Sequence, residues 1–201
     1  MRQHMRVLAL GMAASLLAGC GGGAAGRSAG PPGPAAAPCR AGALTLGYGP
    51  QVSPQTEEHA DWYTLTNHGP SACVLAGYPA ITLYGADGAR LRFRHADARH
   101  SQYLTSAPPR TVLVRPGASA WVLVAKNVCI GRAGPSAARI RITLPGQRHA
   151  SLTGRAAASP GGVSNLDHCR DPEDPGQAVA VSPVEPTRLA TQPARYIAPA
   201  G

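Results

Sequence analysis

Apolar residues in this chain fall in short runs closed by Gly, Pro, Asn and Asp, and nowhere at the spacing of a helix. That pattern permits few folds. Leu44-Thr45-Leu46-Gly47-Tyr48 alternates, and Asp61 to Thr66 is rich in aromatic and β-branched residues. Ala80 to Tyr84 and Arg90 to Arg94 flank Gly85-Ala86-Asp87-Gly88, whose Asp-Gly predicts a hairpin turn. In the second of these strands Leu91 and Phe93 face inward, while Arg90, Arg92 and Arg94 face out. Thr111 to Val114 leads through Pro116-Gly117 into Ala118 to Ala125, which is apolar on both faces and reads as a central strand covered on both sides. Ala138 to Leu144 alternates with Ile140, Ile142 and Leu144 inward, a weaker strand is expected over Ala150 to Thr153, and Ala178 to Val181 closes the sheet. Polar loops are expected over Pro50 to Glu58 and His95 to Pro109. About eight strands joined by turns, without helical crossovers, predict an all-β, antiparallel, immunoglobulin-like β-sandwich. A domain over residues 39–184 can bury about two-thirds of its unfolded surface, and its few aromatics leave an aliphatic core filled out by Trp62 and Trp121.

One corner organises the rest: Asn67-His68-Gly69-Pro70-Ser71-Ala72-Cys73-Val74-Leu75-Ala76-Gly77-Tyr78-Pro79. Asn67 and Gly69 tolerate positive φ, Pro70 fixes its own φ and removes a donor, and Cys73 stands where a covalent tie would hold the corner closed. The block Cys73-x-Leu75-x-Gly77-Tyr78-Pro79, with Asn67-x-Gly69 before it and Arg115-Pro116-Gly117 ahead of an apolar strand after it, resembles the actinobacterial secreted and lipoprotein family called domain of unknown function 4232. The resemblance spans Cys39 to Val184 and implies an envelope protein. It implies no activity.

The first residues predict an address. Arg2 and Arg6 form a basic region, Val7 to Leu17 an apolar run of 11 residues, and Leu17-Ala18-Gly19-Cys20 a lipobox, so residues 1–19 read as a lipoprotein signal peptide. The run is too short to span a bilayer, which takes about 20 residues. Cleavage before Cys20 and diacylglyceryl transfer to its sulfur would place the protein on the outer face of the cell membrane, held by acyl chains at about 0.8 kcal/mol per buried methylene. Residues 20–38, rich in Gly, Ala and Pro, have almost nothing to bury and read as a tether. Within it Gly21-Gly22-Gly23-Ala24-Ala25-Gly26 imitates a dinucleotide motif and Gly26-Arg27-Ser28-Ala29-Gly30 a nucleophile elbow, but both motifs require a strand before and a helix after. The far end, residues 185–201, reads as a disordered Pro-rich tail.

Five cysteines are present, and assigning Cys20 to lipid leaves Cys39, Cys73, Cys129 and Cys169 in an oxidising compartment. Four cysteines allow three pairings. The expectation is Cys39 with Cys73 and Cys129 with Cys169, because neighbouring segments are then joined without crossing loops. No Cys-x-x-Cys spacing supports a metal site instead.

Nineteen basic against ten acidic residues give a net charge of +9, almost all of it arginine, with Lys126 the single lysine. Loss of Arg2 and Arg6 with the signal would leave 17 against 10, a net +7. Such a surface attracts lipid headgroups, an anionic envelope polymer or an acidic protein; nucleic acid is excluded by the address and by the lack of a stacking motif. The densest cluster is Arg90, Arg92, Arg94 and Arg99 with His95 and His100, and it is the candidate binding surface. His95-x-Asp97-x-x-His100 offers three metal ligands, but flanking arginines repel a cation, and no cofactor is expected. Asp167-His168-Cys169 joins an acid, an imidazole and a thiol, yet sequence neighbours do not face one another, and Cys169 is expected to be oxidised. Asp171-Pro172-Glu173-Asp174-Pro175 reads as a solvated turn with a faint resemblance to a calcium loop. The sequence thus predicts a non-enzymatic, lipid-anchored binding or adhesion module, with a structural lipoprotein lacking any ligand as the alternative.

Overall fold

The computed structural model describes residues 36–52, 57–156 and 164–193. All belong to one compact unit, Ala35–Gly201, which contains the described core and both disulfides and is therefore self-contained. The expected signal peptide, Cys20 and most of the expected tether lie outside the described residues, and no described helix is long and apolar enough to cross a membrane.

Alternating burial builds strands throughout. They are β1 Leu44–Val52, β2 Glu58–Asn67, β3 Cys73–Ala76, β4 Ala80–Tyr84, β5 Arg90–Leu91, β6 Arg94–Ala96, β7 Thr111–Val114, β8 Ser119–Asn127, β9 Ala133–Ser136, β10 Arg139–Thr143, β11 Ser151–Arg155, β12 Asp167–Cys169 and β13 Ala178–Val181. A five-stranded sheet runs in the order β1-β2-β8-β13-β6 and a four-stranded sheet in the order β11-β10-β4-β5, with two-stranded pairs β12-β9 and β3-β7 beside them. The all-β, antiparallel sandwich expected from the sequence is the architecture, with thirteen described strands rather than about eight. The extra ones are two to four residues long, below what periodicity resolves. One pairing is parallel, β13 with β6.

Between the two large sheets lies the main core, with Tyr63 and Leu65 of β2, Val122 and Val124 of β8, Ile81 and Leu83 of β4, and Ile140 and Ile142 of β10. The doubly apolar run at β8 is explained by a second cluster on the other face of the five-stranded sheet. There Ala60, Trp62, Leu123 and Ala125 are covered by Ala98, Tyr103 and Leu104, and Trp121 packs against them. The two tryptophans therefore fill this outer layer and not the centre of the sandwich.

The corner between β2 and β3 closes differently from expectation. Neither Asn67 nor Gly69 adopts positive φ. Instead the fully buried Asn67 side chain stands in for backbone, donating from Nδ2 to Ser71 O and Val114 O, each at 2.9 Å, and accepting Gly69 N–H on Oδ1 at 2.9 Å. Cys39 bonds to Cys73, with Cys39 N–H also donating to Val74 O at 3.0 Å. The second disulfide joins Cys129 to Cys169.

Residues 185–193 correct the expectation of a free tail starting at 185; the rest of that tail, residues 194–201, lies outside the described residues. Trp121 and Glu185 exchange backbone hydrogen bonds at 2.7 and 2.9 Å, and the buried Glu185 carboxylate accepts Arg110 Nη2–H at 2.8 Å and Nε–H at 2.9 Å. Trp62 Nε1–H donates to Thr191 Oγ1 at 2.9 Å, Thr105 N–H to Thr191 O at 2.8 Å, and the Arg188 guanidinium lies 5.5 Å from the Trp62 ring centre. These ties are an ion pair, a ring contact and hydrogen bonds, not a buried apolar stripe, so the segment shows no apolar period.

Candidate functional site

A cavity of about 450 Å³ opens where the Tyr78 corner meets the segment after β6, lined by Tyr78, Pro79, His95, Ala96, Asp97, Ala98, Arg99, Ser106 and Val181. Local sequence sets each wall. Gly77 takes φ of +105°, a conformation L residues rarely adopt, and this turns the exposed Tyr78 ring outward. Val184 N–H donates to Gly77 O at 3.0 Å, which binds that turn to the chain leaving β13. On the opposite wall Asp97 caps a short 3-10 turn, Ala98–His100, by accepting Arg99 N–H at 2.9 Å.

The rim is electrostatically committed. Arg99 Nη2–H meets Asp97 Oδ2 at 2.8 Å while its Nε–H reaches both carboxylate oxygens at 3.2 Å. Arg99 hydrogen bonds hold the Asp97 carboxyl down at about 2, so at neutral pH it is a poor proton donor. The floor, Pro79, Ala96, Ala98 and Val181, is apolar. An apolar floor with a few convergent polar groups is what small-molecule sites share, and the volume lies within their usual range of about 300–1,000 Å³.

The wall is also anchored from beneath. Buried Glu58 accepts Ser101 Oγ–H and, at 2.9 Å, Gln102 N–H. Tyr103 and Leu104 insert into the outer cluster. The expected polar loop from His95 to Pro109 is thus a fastened segment whose chemistry-bearing side chains stand on its outer side.

The basic cluster expected to form one stripe is divided. Phe93 N–H bonds back to Leu91 O at 3.2 Å, a three-residue bend that takes the chain from one large sheet to the other. Arg90 stays on β5 in the four-stranded sheet, and Arg94 and His95 join β6 beside β13. Arg94 Nη2–H donates to Asp174 O at 3.0 Å, and its guanidinium lies 3.8 Å from Glu173. Arg92 and Arg90 border a separate cavity of about 520 Å³ with Phe93, and His100 lines a small cleft with Glu58, Lys126 and Asn127. Only His95 and Arg99 of the expected six reach the cavity. Tyr78 and Ser106 were missed, and the Gly77-Tyr78-Pro79 turn was the signal available for the first of these.

Two further groups of buried ionisable residues lie elsewhere. Asp61 is fully buried and accepts Ser164 Oγ–H at 3.0 Å and Asn165 Nδ2–H at 3.2 Å; burial pushes its carboxyl up to about 6. Tyr48 and Tyr63 pack edge-on beside it with centroids 5.5 Å apart, and burial, then the Asp61 charge, raises both phenols. Lys126 is buried against Asp167, Nζ to Oδ1 at 3.3 Å, and burial lowers its pKa while Asp167 raises it. Asp167, His168 and Cys169 do not form one site: Asp167 meets Lys126, the His168 imidazole meets Gln177, and Cys169 is in a disulfide. Asp174 accepts Ile130, Gly131 and Gly176 N–H groups at 3.2, 3.0 and 2.8 Å, which lower its pKa and occupy the supposed calcium loop. Among the described residues no group of three or more His, Cys, Asp or Glu is placed to hold a metal.

Fold and site together define a disulfide-stapled β-sandwich with an open cavity at the meeting of its two sheets. Residues 39–188, more than half of the chain, match the family described as Domain of unknown function (DUF4232), and the protein belongs to it. No curated protein and no solved structure matches the chain.

Proposed function

We propose that this protein is a non-enzymatic binding module, held on the outer face of the cell membrane by a lipid on Cys20, and that its ligand occupies the cavity between Tyr78 and the His95–Ser106 segment. The observation that carries the reading is the cavity itself: an apolar floor, walls fixed by Gly77, Asp97 and Glu58, and an aromatic hydroxyl, an imidazole and an ion pair at the mouth. Its only described acid is paired to arginine and held far below neutrality, which suits recognition better than proton transfer. The address rests on Arg2, Arg6, the apolar run Val7 to Leu17 and the lipobox ending in Cys20.

The ligand is a small molecule with an apolar body and a polar end. Native mass spectrometry of Ala35–Gly201 incubated with a small-molecule extract of cell envelopes tests this. A retained adduct that disappears in Tyr78→Ala/His95→Ala, with melting temperature unchanged, supports the cavity. An adduct equally retained by that variant would place binding elsewhere, and no adduct would favour the structural lipoprotein. The anchor is tested separately: Cys20→Ser should move the protein from the membrane fraction to the soluble fraction and remove the lipid from its intact mass.

A further inference from the structure

Strand order groups one arginine of the sequence cluster, Arg90, with three that are distant from it in sequence. Register across the four-stranded sheet places Arg155 opposite Arg139, Arg139 opposite Tyr84, and Tyr84 opposite Arg90. In the next row along β10, Arg141 stands between Thr153 and Thr82. On these strands the alternate residues Leu152, Ile140, Ile142, Ile81, Leu83 and Leu91 are buried. All four arginines therefore share the outer, exposed face. That face carries no acid among Ala80, Thr82, Tyr84, Arg90, Arg139, Arg141, Thr143, Ser151, Thr153 and Arg155.

None of the four arginines is in an ion pair among the described residues. Like charges directly opposite across a strand pair destabilise a sheet, and Arg155 against Arg139 is such a pair. What organises the array is Tyr84, whose ring centre lies 6.0 Å from the Arg139 guanidinium carbon and 5.4 Å from that of Arg141. The nearest turn acid, Asp87 between β4 and β5, accepts Ala89 N–H at 2.9 Å.

We propose that this outer face of β11-β10-β4-β5 is a docking face for an anionic lipid bilayer. Strands about 4.8 Å apart put Arg155, Arg139 and Arg90 along a row roughly 14 Å long, with Arg141 about 7 Å to the side. That is a planar array of guanidinium forks, each able to take a phosphate oxygen pair. A plane of headgroup phosphates satisfies all four at once, whereas a linear polymer satisfies one row. Tyr84 adds the amphipathic ring that favours the headgroup level. The inference does not depend on the cavity or on a lipid at Cys20.

The test uses Ala35–Gly201, which lacks Cys20, and vesicles of one part phosphatidylglycerol to three parts phosphatidylcholine. Each basic residue near such a surface is worth about 1 kcal/mol. Arg90→Ser/Arg139→Ser/Arg141→Ser/Arg155→Ser should therefore weaken co-sedimentation by several hundred-fold, with melting temperature equal to or above that of the parent. The control removes the same charge elsewhere, at the exposed Arg40, Arg115, Arg132 and Arg170, and should weaken binding by no more than about ten-fold. Equal losses in the two variants would overturn the proposal, since the charge would then be generic. So would parent binding no tighter than to pure phosphatidylcholine. Soluble linear polyphosphate bound as tightly as vesicles at equal phosphate concentration would also overturn it, by assigning the face to a polymer.

Discussion

The substitution Asp61→Asn should change how stability depends on pH, not merely its value. Asp61 is fully buried on β2 beside Tyr48 and Tyr63, and burial raises its pKa from 3.8 to about 6. The folded state therefore holds this proton more tightly than the unfolded chain. Well below pH 3.8 the group is protonated in both states and costs nothing. As pH climbs from about 4 to 6 the unfolded chain loses the proton first, so stability falls, and above about pH 6 the loss is complete. A shift of about 2 pH units at 1.36 kcal/mol each amounts to about 3 kcal/mol. The neutral amide escapes that penalty, since it keeps an acceptor for Asn165 and can donate to Ser164 Oγ in place of accepting from it.

The expected result is a variant close to the parent at pH 4 and about 1–3 kcal/mol more stable at pH 7.5, read from urea midpoints across that range. His59 works in the opposite direction, because burial first and Lys126 second lower its pKa, so the unfolded chain takes up a proton there as pH falls through 6.5. Arg99 holds Asp97 at about 2, and backbone donors hold Asp174 low, so both add stability that is lost as pH falls below about 4. All three are common to parent and variant and cancel in the difference. Parallel pH profiles for the two proteins between pH 4 and 6.5 would refute the reasoning.

Arg110→Ala should destabilise by about 1–3 kcal/mol, because the Glu185 side chain is 3% exposed and loses its cation, with the half-exposed position of Arg110 moderating the cost. Adding Glu185→Gln should recover most of this, and chemical denaturation of the two variants decides it. The two disulfides close spans of 34 and 40 residues, so Cys39→Ala/Cys73→Ala and Cys129→Ala/Cys169→Ala should each cost about 4 kcal/mol and nearly the same as one another. Unequal losses in urea would show that one bridge acts through native packing rather than through the unfolded chain.

Much of the fold was legible because burial in a sandwich follows a period of two. Ala80–Tyr84, Thr111–Val114 and Ala178–Val181 are strands with the bounds expected from the residues alone, and the doubly apolar Ala118 to Ala125 does lie under two layers. The expected strand from Arg90 to Arg94 failed as a single element because the alternation Leu91, Phe93 says nothing of the bend between them. Its failure divided the candidate binding surface. The docking of residues 185–193 was illegible for a different reason, since Glu185, Arg188 and Thr191 are held by an ion pair, a ring contact and hydrogen bonds whose partners lie 64 to 129 positions away. The arginine face was half legible. Alternation put Arg139 and Arg141 outward, but only strand order sets them beside Arg90 and Arg155.

Strand order also fixes how the two proposed surfaces relate. Strand β4 begins at Ala80, next to Pro79 in the cavity floor, and ends at Tyr84, within the arginine row. Five residues of antiparallel strand separate these points by about 14 Å. The strand is hydrogen-bonded on both sides, by β10 and β5, and roots Ile81 and Leu83 in the main core. It is therefore a rigid spacer and not a lever. Coupling between two sites requires an element with two arrangements whose balance both ligands shift, and a core strand fixed in register offers one. Occupation of the cavity and docking of the arginine face should then be energetically independent: Tyr78→Ala/His95→Ala leaves vesicle binding unchanged, and the fourfold arginine variant leaves the cavity adduct unchanged. What β4 supplies instead is geometry, since a bilayer against Tyr84 would always find the cavity mouth at the same distance from its surface.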